Sequence, residues 1–70
     1  MDTKTINAAV KANMEALKDI LANAAELASE GHGYMVEDNR NGAIGTIADL
    51  DKMLEAAKAL QAACLVLHKK

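Results

Sequence analysis

Cys64 and His68 stand four residues apart in CLVLH, a spacing that on a helix turns two metal ligands to one face. A metal site needs further ligands, and the chain offers only His32 as another nitrogen donor and no second cysteine. No metal or cofactor is therefore expected. Around Cys64 the run AACLVL holds nothing polar enough to stabilise a thiolate, so it reads as a buried, inert thiol. His68 reads as a terminal histidine favoured by the helix dipole. The carboxylates make no better case for catalysis. Glu26 and Glu30 are i,i+4 on one helix and Asp49 and Asp51 open another, whereas magnesium-dependent helical hydrolases cluster their acids across a bundle. With no nucleophile–base or acid pair, the chain is not expected to be an enzyme.

The unusual residues gather elsewhere. Residues 31–46, GHGYMVEDNRNGAIGT, contain all four glycines, the only tyrosine (Tyr34) and the only arginine (Arg40). One account is an elaborate turn. Gly31 and Gly33 would supply positive φ, Asn39 and Asn41 local side-chain bonds, and Tyr34, Met35 and Val36 a cover over the end of a bundle. The other account is a recognition site. Tyr34 has a flat face for stacking, and Arg40 a fork of donors matched to phosphate or carboxylate. Asn39 and Asn41 could pair with amide or base edges. Gly42 and Gly45 would bare helical backbone to a flat ligand or another chain. The nearby start of the second helix would add free N–H groups that favour an anion. The candidate ligand-binding set is Tyr34, Asn39, Arg40, Asn41, Gly42, Gly45 and Thr46.

Two helices must position this segment. The first is expected over about 5–29, with Thr3 or Thr5 as its cap and Gly31 ending it. Ile6, Val10, Asn13, Leu17, Ile20, Ala24 and Leu27 keep the 4-3 spacing of a bundle seam, with Asn13 as a polar register-setting residue. Met14, Leu21 and Ala28 form a second apolar line beside it. The second helix runs from about 39 or 47 to 68. Ile47, Leu50, Leu54, Ala57, Gln61 and Cys64 make one line, and Met53, Leu60 and Leu67 another. Thr46 and Asp49 fit a capping box, which leaves a connection of 31–45. A start near Asp38 or Asn39 shortens the connection to 31–38, at the cost of two glycines inside the helix. The shorter connection is preferred. His68, Lys69 and Lys70 suit the negative end of this helix.

The expected fold is a single all-α domain over residues 1–70, an antiparallel helical hairpin. Seventy residues without Phe or Trp, rich in alanine, bury little apolar surface alone. One cysteine excludes an internal disulfide, which leaves self-association as the economical remedy. Two apolar lines on each helix point to a homodimer forming a four-helix bundle. Net charge is −2 with no basic block, which argues against a nucleic-acid polymer as partner. No signal peptide or membrane span is legible, so the expectation is a soluble, cytoplasmic protein of a bacterial or phage-infected cell.

Two functions follow. The first is non-enzymatic binding or sequestering of a small anionic molecule, of the nucleotide or nucleotide-derived signalling kind, at residues 34–46. In overall build alone, and through no shared motif, the chain is similar to the small all-helical, self-associating proteins with which phages soak up host immune signalling nucleotides. That likeness implies nucleotide sequestration and immune evasion. The alternative is a protein–protein interaction module, a small dimeric helical inhibitor or adaptor, with the glycine segment as a mere connection.

Overall fold

A computed structural model describes residues 2–69. The chain forms three helices, α1 (Thr3–Val36), α2 (Arg40–Ile47) and α3 (Leu50–His68). α2 and α3 follow one another as a second arm, separated only by the turn at Ala48–Asp49, and both pack along α1. The result is an all-α hairpin of 54 × 14 × 11 Å. Among the described residues no helix is long and apolar enough to cross a membrane. Met1 and Lys70, the latter expected to face the end of the second helix, lie outside the described residues.

α1 begins one step earlier than the two threonines suggest. Asp2 is the cap, its Oδ1 accepting from the Thr5 N–H at 2.7 Å. That bond holds the Asp2 carboxyl below its ordinary value. Its contribution is present above the unfolded-state pKa and is lost as pH falls through the folded one.

The far end of α1 corrects the sequence reading more sharply. Gly31 does not stop the helix; α1 continues through Gly31 and Gly33 to Val36. The seam explains why. Counting four beyond Leu27 arrives at Gly31, so Gly31 occupies the next core position and is buried against α2. A Cβ on Gly31 would lie 3.2 Å from Ile47 Cγ2 and 3.5 Å from the Ala43 carbonyl oxygen. The absent side chain admits α2, and packing there offsets the helix penalty of about 1 kcal/mol.

The true stop is at Asp38, with φ 58°, the single non-glycine residue in the left-handed region among those described. The Asn39 N–H donates to the Tyr34 carbonyl at 2.8 Å and the Asp38 N–H to the Met35 carbonyl at 3.0 Å. This 6→1 and 5→2 pair is a Schellman motif with Asp where glycine usually sits. None of the described glycines has positive φ, so the turn role expected of Gly31 and Gly33 falls to Asp38. Asp38→Gly should relieve the left-handed strain and raise the melting temperature slightly, a gain of up to about 1 kcal/mol. Asp38→Val, branched at Cβ, should lower it, and chemical denaturation of the pair measures both.

Asn39 closes one helix and opens the next. Its Oδ1 accepts from the Gly42 N–H at 2.9 Å and its carbonyl from the Ala43 N–H at 3.1 Å, so α2 starts at Arg40. The connection is only Glu37–Asn39. The capping box at Thr46 does not form. Thr46 lies inside α2, and its hydroxyl donates back to the Gly42 carbonyl at 2.8 Å. Asp49 precedes α3 without a side-chain capping bond.

Along α1 the expected seam is the inward one, from Ile6 to Leu27, with Ala24 and Gly31 fully buried. On α3 the inward face is drawn from both apolar lines, in place of the single line from Ile47 to Cys64. Leu50, Met53, Ala57, Leu60, Cys64 and Leu67 turn toward α1, whereas Leu54 and Gln61 remain exposed. Both choices repeat at 3-4, so spacing alone could not separate them; the direction in which the turn at Asp38 delivers the second arm does. Cys64 is buried beside α1, its thiol 4.0 Å from the Val10 carbonyl. Cys64→Ala should therefore cost roughly 1 kcal/mol in denaturant melts and leave any binding unchanged.

The core is thin. Among the described residues its buried apolar members are Ala24, Ala43, Ala57 and Cys64, none of them large. The accessible surface is 5400 Å², where a compact monomer of 7.4 kDa has about 4,200 Å². The radius of gyration is 16.2 Å against about 11 Å for a compact chain of this length.

Candidate functional site

The hairpin tip, where α1 ends and α2 begins, brings together the residues singled out in the sequence. They divide into two groups. Tyr34, Asn39, Gly42 and Thr46 are engaged with one another. A Cβ on Gly42 would lie 2.8 Å from Asn39 Nδ2 and 3.0 Å from Tyr34 Cδ1, so this glycine admits the chain's own tyrosine ring and capping amide. Tyr34 is still 41% exposed, leaving part of its ring free. Asn39 Oδ1 and the Thr46 hydroxyl are bound locally, as described above.

The second group faces outward. Arg40, Asn41, Ile44, Gly45 and Ala48 are all exposed, and Arg40–Ile44 and Asn41–Gly45 are i,i+4 neighbours along α2. By helix geometry the N–H groups of Arg40 and Asn41 have no partner within α2. The local side-chain hydrogen bonds at the tip run through Asn39 and Thr46 and do not take up Arg40 or Asn41. Around Gly45 nothing lies within 4 Å of where a Cβ would stand.

Gly45 therefore weakens a helix of only eight residues with no intramolecular contact to require it. Gly45→Ala separates the explanations. It should stabilise the chain by roughly 0.5–1 kcal/mol if the position meets only water. Where a ligand or second chain touches that backbone, the same substitution should weaken binding while the fold becomes more stable.

Charge is organised by the fold more than the linear sequence suggests. Read along the chain, acids and bases look mixed. Folding back collects Glu26 and Glu30 of α1, Glu37 and Asp38 of the connection, and Asp49, Asp51 and Glu55 of the second arm in the tip half, against only Arg40 and Lys52. The open half holds Lys4, Lys11, Lys18, Lys58 and Lys69 against Asp2, Glu15 and Asp19. Arg40 is thus a cation set in acidic surroundings.

One feature had no counterpart in the sequence reading. Two shallow apolar grooves lie between the arms on one side of the hairpin. The first, about 390 Å³, is lined by Leu17, Leu21, Leu54, Ala57, Lys58 and Gln61. The second, about 350 Å³, runs from Ala28 and Met35 to Ile44 and Ile47. The signal available was the heptad spacing of Met14, Leu21, Ala28 and Met35, whose line reaches Met35 only because α1 is not stopped at Gly31.

Among the described residues no three of His, Cys, Asp and Glu are grouped to hold a metal ion. The fold and tip define a class, an all-α helical hairpin whose second arm starts with exposed Arg40 and Asn41. Comparison with protein-family models, curated proteins and solved structures finds no match.

Proposed function

We propose that this protein is a non-enzymatic, homo-oligomeric binder that sequesters or senses a small anionic ligand, of the nucleotide or nucleotide-derived kind, at the hairpin tip. The observation that carries the reading is the outward face of α2. It presents the sole guanidinium, an amide at Asn41, two free helix-start N–H groups and a glycine backbone that nothing in the chain touches. Tyr34 supplies a partly exposed ring beside it, already fixed by its contact with Gly42. Asn39 and Thr46 hold this arrangement rather than meet the ligand directly. Homodimerisation into a four-helix bundle accompanies the reading, because one hairpin leaves Met14, Leu21 and Leu54 about half exposed.

Melting the protein against a panel of nucleotides tests it. A ligand at a hundred times its Kd adds about 2.7 kcal/mol by mass action. For a domain of this size that raises the melting temperature by on the order of 10–20 °C. A flat response to nucleotides, inorganic phosphates and small carboxylates would remove the reading.

A second reading, a helical protein–protein interaction module, is favoured by one specific observation. Met14, Leu21, Leu54 and Leu65 are each about half exposed, at 53%, 46%, 53% and 56%. A foreign helix could cover them as a second copy would.

A further inference from the structure

We infer that the grooved side of the hairpin is a homotypic interface on which a second copy lies antiparallel, each tip beside the partner's shaft rather than beside the partner's tip. This rests on the self-association proposed above and specifies its face and direction.

The face is defined by contrast. On one side, Met14, Leu21, Ala28 and Met35 of α1 run alongside Ile44, Ile47 and Leu54 of the second arm, and both grooves open between them. On the opposite side α1 carries Ala16, Asn23 and Glu30, and α3 carries Ala56 and Ala63. Most of the large exposed apolar groups lie on the first side; Val66 and Tyr34 are exposed elsewhere. Area supports a second copy as the occupant. The hairpin exposes about 1,200 Å² more than a compact chain of its mass, and a stable dimer buries only about 800 Å² per partner.

Charge then chooses the direction. Two hairpins stacked face to face by a two-fold axis can run parallel or antiparallel. The parallel arrangement sets two acid-rich tip halves side by side. The antiparallel arrangement sets each against the partner's half, where lysines offset the acids, and brings Met14 level with the partner's Met35. The acidic turn at Glu37 and Asp38 then lies level with the partner's Lys11. Ile44 meets the partner's Leu54, so apolar faces apolar along both arms. The antiparallel pairing also lessens the negative field that an anion would meet at Arg40.

A single spin label reads the direction. In a Cys64→Ala background, Val36→Cys places the label at the tip, on a residue 72% exposed. In the antiparallel dimer Val36 is level with the partner's Asn13, 23 residues away along α1, so two labels stand about 35 Å apart at 1.5 Å per residue. In the parallel dimer they lie within about 20 Å, roughly two helix spacings. The expected result is a sedimenting dimer with the long distance. A dimer with the short distance overturns the direction and leaves self-association standing. A chain that sediments as a monomer at all concentrations overturns both. A dimer that survives Leu21→Glu with Leu54→Glu overturns the face.

Discussion

Replacing Leu21 and Leu54 together by Glu is expected to abolish the dimer, the largest single effect foreseen for this protein. Both side chains are about half exposed in the single hairpin, at 46% and 53%, and border the same groove. Two-fold symmetry places four carboxylates in the interface. Each substitution forfeits roughly half of the 1.5–3 kcal/mol that full burial of a leucine is worth, and the two-fold axis repeats both losses, before any cost of desolvating charge. Dimerisation should therefore weaken by more than about 4 kcal/mol, roughly a thousandfold in Kd. Sedimentation should show monomer, and helical circular dichroism should fall with it, because the remaining core consists of alanines and Cys64. Ala16→Glu with Ala56→Glu, on the opposite side, adds the same charge and should leave the dimer intact. Equal loss from both pairs would mean that added charge alone disrupts assembly, and the grooved face would lose its special standing.

Arg40→Lys is expected to leave the fold unchanged and cost ligand binding about 1.5–3 kcal/mol, the usual worth of a hydrogen bond to a charged group. Arg40 is exposed at the first position of α2, where a lysine meets every local requirement except the bidentate fork. A cation that merely balanced Glu37 or Asp38 at the surface would contribute little, and lysine would serve as well. Titration calorimetry with whichever nucleotide raises the melting temperature separates the two. Normal affinity in both Arg40→Lys and Tyr34→Ala would return the tip to a structural turn and move the interaction-module reading ahead.

How far the site was legible can be judged residue by residue. The gathering of the unusual residues was, because glycine, tyrosine and arginine are rare in this chain and fall together in 31–46. The division of labour within it was not. Asn39, Gly42 and Tyr34 looked equivalent to Arg40 and Asn41 as ligand groups, yet three of the five are occupied with one another. Nothing local marks Gly42 as a seat for an aromatic ring and Gly45 as open backbone, since each is simply a glycine in a short helix. The difference arises from which side of α2 faces Tyr34.

The same division holds for the fold. Sequence by itself determined the all-α hairpin and the inward seam of α1, because hydrophobic periodicity is a local property that survives in any tertiary setting. It also offered Asn39 as a cap, beside Asp38 and Thr46, since capping is a matter of one side chain and the N–H three residues on. Only the tertiary structure decided where α1 ends, since Gly31 reads as a stop until α2 is seen packed against the hydrogen atom where a side chain would be. It alone decided which members of two equally periodic lines on α3 face inward, and that the acids share one end. Those outcomes depend on the direction in which one left-handed residue, Asp38, returns the chain, and contacts between residues far apart in sequence then outweigh the local propensities of glycine and threonine.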